Sequence, residues 1–214
     1  MKVAPSVLAC DFSKMGEEIL KVNEAKADMI HLDVMDGNFV PNISFGPAVI
    51  KSIRKYTDIL FDVHLMIQEP KRYINDYVKA GAENITFHVE AEYDVKGTIE
   101  DIKNQNVKAS LSVRPKTPIE AVFPYLDDIF MVLIMTVEPG FGGQSFMPDM
   151  MEKVKKLRAE IDRRNLDVLI QVDGGINIET SKVAKEAGVD VCVAGTALFG
   201  AESMTDAVKD MQNI

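Results

Sequence analysis

Apolar and polar residues alternate in short runs that recur along the whole chain, each separated from the next by a stretch of helical periodicity. The β-like runs fall at 2–8, 28–34, 59–65, 84–89, 108–113, 129–135, 167–172 and 189–194. The helical segments fall at 13–26, 47–56, 70–80, 94–105, 118–125, 149–164, 178–187 and 203–213. Local signals support them: Ser13 as an N-cap, Pro47 in a first turn and Gly81 as a C-cap. Strands separated by helices pair in parallel through right-handed crossovers. Eight such units predict a closed (β/α)8 TIM barrel, an α/β fold, over residues 1–214 as a single domain. The rival is an open doubly wound sheet, which often carries G-x-G-x-x-G after its first strand. Here that position reads ACDFSKMG.

Within the strands the alternation separates two faces. Met29, His31, Asp33 and Met35 share one side of the second strand, and Ile30, Leu32 and Val34 the other. Asp62, His64 and Met66 oppose Phe61, Val63 and Leu65, while Leu169, Gln171 and Asp173 oppose Val168, Ile170 and Val172. The apolar set suits packing against helices, so the polar set points into the barrel. Barrels build active sites at the C-terminal ends of their strands. His31, Asp33, His64 and Asp173 therefore form a candidate set of two imidazoles and two carboxylates, donors suited to Zn²⁺, Fe²⁺, Mn²⁺ or Co²⁺. Each alone reads as an ordinary satisfied polar group. Together they need a reason, since an unpaired polar group in such an interior costs roughly 2–7 kcal/mol. Asp62 and His88 read as hydrogen-bonding residues of structural character. Met35, Met66 and Met135 read as core filler that could also form a dry collar around a reacting carbon.

Glycines gather after the last three strands: Gly140, Gly142 and Gly143 around Phe141, then Gly174 and Gly175, then Gly195 beside Thr196. Glycine lets successive amides face one anion, and barrels often bind phosphate beyond strands 7 and 8. The composition fits such a reading. With 24 basic and 33 acidic residues the formal charge is −9, which disfavours nucleic acid and anionic membranes but leaves a cradle of neutral amides unaffected. No apolar run approaches the roughly 20 residues a membrane span requires. The N-terminus does not read as a signal peptide, and two distant cysteines, Cys10 and Cys192, suggest a reduced cytoplasmic protein.

APSVLACDF, HLDVMDGNFVPNISFG, DVHLM, MTVEPGFGGQSF, QVDGGI and VAGTALF together resemble the ribulose-phosphate 3-epimerase family over essentially the whole chain. The resemblance implies a barrel of the ribulose-phosphate-binding type and an isomerase of carbohydrate metabolism, in the pentose phosphate pathway. Its substrate would be a phosphorylated ketose, D-ribulose 5-phosphate interconverting with D-xylulose 5-phosphate. It implies one divalent metal on His31, Asp33, His64 and Asp173, with Asp33 and Asp173 as the acid/base pair. It also implies substrate contacts from Ser6 and His64, a phosphate site at the glycine clusters, and a homo-oligomer. Two positions depart from the family pattern. VRPKTP places Arg114 and Lys116 where Asn or Lys is expected before the proline, and Thr196 stands where Ser is common. The nearest alternative is a 3-epimerase of D-allulose 6-phosphate, which would share the catalytic residues. A barrel decarboxylase would carry D-x-K-x-x-D, but the second strand reads DVMD without the lysine. A non-catalytic sugar-phosphate binder is the alternative from another class.

Overall fold

The computed structural model describes all of residues 1–214. Eight parallel strands form one sheet: β1 (Lys2–Pro5), β2 (Met29–Met35), β3 (Leu60–Met66), β4 (Asn84–His88), β5 (Lys108–Val113), β6 (Met131–Met135), β7 (Leu169–Asp173) and β8 (Val191–Ala194). From β2 to β8 each strand pairs with its sequence neighbour, and β1 pairs with β8. The remaining seam between β1 and β2 is closed by a parallel bridge from Ser6 to His31. The Asp28 N–H also donates to the Val3 carbonyl at 3.1 Å across it. The result is the expected (β/α)8 barrel.

The helices are α1 (Met15–Glu24), α2 (Pro47–Ile53), α3 (Ile74–Ala80), α4 (Val95–Lys103), α5 (Met150–Arg164), α6 (Ile178–Ala187), α7 (Thr196–Phe199) and α8 (Met204–Gln212). Pro47 opens α2 behind Gly46, and Gly81 ends α3 in the left-handed region at φ 101°, as their residue types predict. Four expectations need correction. The run 2–8 is a strand only to Pro5, and Val7–Ala9 turns into a short 3₁₀ segment. Ser13 does not cap α1; it lies in a 3₁₀ turn capped by Asp11, whose carboxylate accepts from the Ser13 amide at 2.9 Å. The segment expected as a helix over 118–125 is a 3₁₀ run, Ile119–Asp128, because Pro124 removes an amide from its middle. Finally, α7 is an extra four-residue helix directly behind Gly195.

The main core lies between the barrel and its helices. The outward-facing apolar residues belong to one cluster of 51 buried residues, whereas the apolar cluster inside the barrel has five: Ala4, Met29, Met131, Val191 and Val193. Above that small floor the interior turns polar. Asp62 accepts from Asn84 Nδ2 and from Gln171 Nε2, each at 2.7 Å, and Ser110 Oγ donates to Asn84 Oδ1 at 2.7 Å. These residues are fully buried, and their partners remove most of the desolvation cost. Register then sets the next layer. Asp33 lies opposite His64, Met35 opposite Met66, and Met135 opposite Asp173.

Candidate active site

His31, Asp33, His64 and Asp173 meet at the C-terminal end of the barrel. One ligand-capable atom from each lies within 4.8 Å of the others. Strand alternation accounts for this: all four occupy inward positions of β2, β3 and β7. Asp33 is at the centre. Its Oδ2 accepts from Ser6 Oγ at 2.6 Å, and its Oδ1 lies 3.2 Å from His64 Nδ1 and 3.3 Å from His31 Nε2.

The two imidazoles are oriented from behind. His31 Nδ1 lies 2.8 Å from Asp62 Oδ2, so that nitrogen carries the hydrogen and Nε2 turns its lone pair to the cluster. His31 Nε2 is buried and has no hydrogen-bond partner. An orphaned acceptor costs free energy unless something fills the place before it. With two carboxylates and a second imidazole nitrogen at hand, that something has the character of a divalent cation. The donor set fits one. His64 Nε2 lies 2.9 Å from His88 Nε2, and His88 Nδ1 lies 3.2 Å from Glu90 Oε2.

The electrostatics is divided. Burial works against charge on His31, but the carboxylates of Asp33 and Asp62 outweigh it and raise its pKa well above the usual value, so where no cation stands before Nε2 a proton fills that place. Burial likewise opposes ionisation of Asp33, yet the neighbouring His31 and His64 hold its carboxyl far below the ordinary carboxylate range. Burial and the charge of Asp33 push Asp173 up to about 7. The cluster thus holds one carboxylate that resists protonation and one that accepts a proton readily. Burial lowers both His64 and His88, the latter to about 4.

Above the cluster opens a cavity of about 720 Å³. Asp33 and Asp173 form part of its floor with Ser6, while Met35, Met66 and Met135 line its side. His31 and His64 are fully buried beneath and do not reach its surface. Gly140, Phe141, Gly142, Gly143, Gly174, Gly175, Gly195 and Thr196 all line the same cavity. Their carbonyls are tied back into the protein. Asn42 Nδ2 donates to Gly140 O at 2.7 Å, Thr136 Oγ1 to Gly174 O at 2.7 Å, and Thr180 Oγ1 to Gly175 O at 3.1 Å. In a trans peptide the next N–H points the opposite way, so these bonds turn amides away from the carbonyl's anchor. Gly175 has φ +69°, and a Cβ there would come within 2.6 Å of Phe146 Cα. Only glycine fits that approach.

Every residue expected from the sequence to hold the metal, move a proton or touch the substrate therefore lies in this cluster or around its cavity. Arg114 and Lys116 do not. Lys116 is exposed, and Arg114 donates through Nη2 to the Phe39 carbonyl at 2.5 Å while its backbone N–H donates to Glu90 Oε1 at 2.8 Å. Glu90 is the contact that sequence reasoning missed. The signal was present, since H-x-E ending the fourth strand repeats the spacing of H-x-D in the second. Asn177 and Ala197 also line the cavity without having been marked.

Comparison with known proteins agrees with this architecture. The model of the Ribulose-phosphate 3 epimerase family matches residues 2–199. The ribulose-phosphate 3-epimerase of Bacillus subtilis (strain 168) is 45% identical over 213 residues, covering 99% of this chain and 98% of its own. That of Synechocystis sp. is 46% identical over 216 residues, covering 99% and 93%. Among solved structures, 3-hexulose-6-phosphate synthase from Salmonella typhimurium superposes with a TM-score of 0.74 at 18% identity, covering 100% of this chain and 97% of that one. KGPDC from Streptococcus mutans gives 0.71 at 15%, covering 99% and 95%. At such identities these two similarities concern the fold.

Proposed function

This chain belongs to the ribulose-phosphate 3-epimerase family, and from that premise we propose that it inverts C3 between D-ribulose 5-phosphate and D-xylulose 5-phosphate with Asp33 and Asp173 as paired acid and base. The observation that carries the reading is the convergence of His31, Asp33, His64 and Asp173 beneath a cavity that the glycine loops also line.

Inverting a carbon beside a ketone requires removal of its proton and return of a proton to the other face. Asp33 comes from β2 and Asp173 from β7, so the two carboxylates approach from different sides of the barrel. One takes the C3 proton, the substrate flattens to an enediolate, and the other delivers a proton to the opposite face. Ser6 holds Asp33 in orientation through Oδ2. A divalent ion held by His31, Asp33, His64 and Asp173 would supply positive charge beside the oxygens where negative charge develops. Zn²⁺, Fe²⁺, Mn²⁺ and Co²⁺ all suit this donor set. Met35, Met66 and Met135 keep the reacting carbon away from water. The amides of the glycine wall take the substrate's phosphate, with Thr196 adding its hydroxyl. The proposal extends to one barrel domain over residues 1–214, a homo-oligomer and a place in the cytoplasm. Cys10 and Cys192 are free thiols, and no helix is long and apolar enough to cross a membrane.

Elemental analysis of the purified protein, paired with an epimerisation assay on D-ribulose 5-phosphate in deuterated water, tests the whole scheme. A bound divalent metal, turnover that falls on chelation and returns on metal addition, and deuterium at C3 are expected. A metal-free, active enzyme or turnover without exchange at C3 would refute it. Faster turnover of D-allulose 6-phosphate would move the substrate assignment to the six-carbon sugar.

A further inference from the structure

His88 and Glu90 lie outside the cavity, yet they form an unbroken line with a member of the cation cluster. The line runs Glu90 Oε2 to His88 Nδ1 at 3.2 Å, His88 Nε2 to His64 Nε2 at 2.9 Å, and then His64 Nδ1 to the cluster. Both rings are fully buried, and the 2.9 Å gap between their Nε2 atoms holds a single hydrogen, so one ring donates there and the other accepts. Asp33 Oδ1, 3.2 Å from His64 Nδ1, also only accepts, so with a cation seated between those two atoms the positions of the hydrogens follow from the far end. Glu90 can only accept, so His88 carries its hydrogen on Nδ1 and leaves Nε2 bare. Two bare nitrogens cannot sit 2.9 Å apart, so His64 must donate from Nε2. Its Nδ1 is then the lone pair turned to Asp33, His31 and Asp173.

We infer that His88 and Glu90 are positioning residues that fix the tautomer of His64, so that its Nδ1 is available to the divalent cation. The inference rests on the metal reading proposed above. Glu90 is itself held on its second oxygen, since the Arg114 backbone N–H donates to Oε1 at 2.8 Å. The Arg114 guanidinium stacks 3.9 Å from the Phe39 ring centre, and that ring lies 4.8 Å from the His88 ring. The unusual Arg114 thus encloses the line in place. A parallel exists at His31, where Asp62 serves the same purpose in a single step. The two imidazoles are therefore set by carboxylates at unequal distance, one in contact and one beyond an intervening ring.

Glu90→Gln is a pointed test because glutamine has one acceptor oxygen where two donors need one each. Its NH₂ must face either the Arg114 N–H or His88 Nδ1. The second choice moves hydrogen onto His88 Nε2 and, in turn, onto His64 Nδ1, where it blocks the cation. His88→Phe keeps a ring but removes the acceptor, and His88→Gln can restore an acceptor to His64 Nε2. The measurement is Co²⁺ affinity of the apoprotein by chelator competition, with the Co²⁺ visible absorption spectrum and the thermal unfolding of the apoprotein recorded alongside. His88→Phe and Glu90→Gln are expected to bind Co²⁺ about 10- to 100-fold more weakly with altered absorption bands, and His88→Gln to recover part of the loss. Apoprotein unfolding should not track these changes. Affinities of His88→Phe and Glu90→Gln within about twofold of wild type, with an unchanged spectrum, would overturn the inference while leaving the metal site intact. If His88→Phe does not fold, Glu90→Gln and His88→Gln decide by the same criteria. A wild-type protein that binds no Co²⁺ would overturn both this inference and the reading beneath it.

Discussion

The two walls of the cavity are made of different material. One is built from side chains on strand ends, where Asp33, Asp173 and their buried imidazole partners are located by β register and held by hydrogen bonds. The other is built from main chain, in glycine-bearing loops after β6, β7 and β8, where the Gly174 and Gly175 carbonyls are tied back by the hydroxyls of Thr136 and Thr180. The contrast teaches how the fold divides its labour. Proton transfer needs groups with particular chemistry at fixed points, and side chains on rigid strands supply them. On the proposed reading, holding the substrate's phosphate needs several donors but no net charge, and backbone would supply those without adding charge to an acidic protein.

The comparison breaks most severely at the carboxylates. Asp33→Asn and Asp173→Asn keep shape but remove a base, so turnover on D-ribulose 5-phosphate is expected to fall on the order of 10²- to 10⁴-fold or beyond in either variant. Circular dichroism should show an intact fold in both. Asp173→Asn can retain exchange of one C3 proton with solvent, because Asp33 still reaches its face. Near-normal turnover in either variant would end the two-base scheme.

The main-chain wall breaks differently. In Gly175→Ala the added Cβ meets the backbone at Phe146, and φ +69° disfavours any side chain. The expected cost is on the order of 1–3 kcal/mol in unfolding free energy, with a raised KM for the phosphorylated substrate and a smaller change in kcat. Denaturant unfolding and steady-state kinetics read the two effects separately. A variant as stable as wild type would show that the loop has room the close approach denies.

These two walls were unequally legible in the sequence. The side-chain wall could be read residue by residue, because a period of two places His31, Asp33, His64 and Asp173 on inward faces whatever the detail of the loops. The glycine wall could be read only as clusters, since glycine announces conformational freedom without saying which way an amide points. The short helix α7 was invisible for the same reason: four residues are too few to show a period. Pro124 is visible, but the apolar spacing on either side of it mimics an α-helix and hides the break it makes. His88 and Glu90 were hidden by ordinariness. A histidine at a strand end usually has a structural role, and only the 2.9 Å approach of its ring to His64 shows what it is aimed at.

Acid should separate the walls. Burial opposes ionisation of Glu90, but the hydrogen bond to His88 wins and lowers its pKa from 4.5 to about 2. The folded value lies below the unfolded one, so the stabilisation is fully present above pH 4.5 and is lost as pH falls through 2. Allowing for partial exposure, it amounts to on the order of 1–2 kcal/mol. Unfolding of wild type and Glu90→Gln, followed between those limits, should show a steeper acid decline in wild type. The glycine wall has no titrating group of its own and adds nothing to that slope. Parallel acid profiles would mean that Glu90 has an ordinary carboxyl.

The smallest effect is the cleanest probe of the main-chain wall. Gly142 lies on the cavity in the same loop as Gly140, but it is exposed, and a Cβ built there meets nothing within 4 Å. Unlike Gly175, it is not in the left-handed region. Gly142→Ala should therefore change stability by no more than about 0.5 kcal/mol. Gly142→Asp adds a charge at the same open point. Because the site is exposed, repulsion toward a bound phosphate is screened to about 1 kcal/mol, roughly a fivefold rise in KM. That rise should shrink at high salt, while kcat and the melting temperature stay near wild type. A phosphate seated elsewhere would leave KM indifferent to the new carboxylate. Gly142 thus tests where the anion sits without disturbing the wall that holds it.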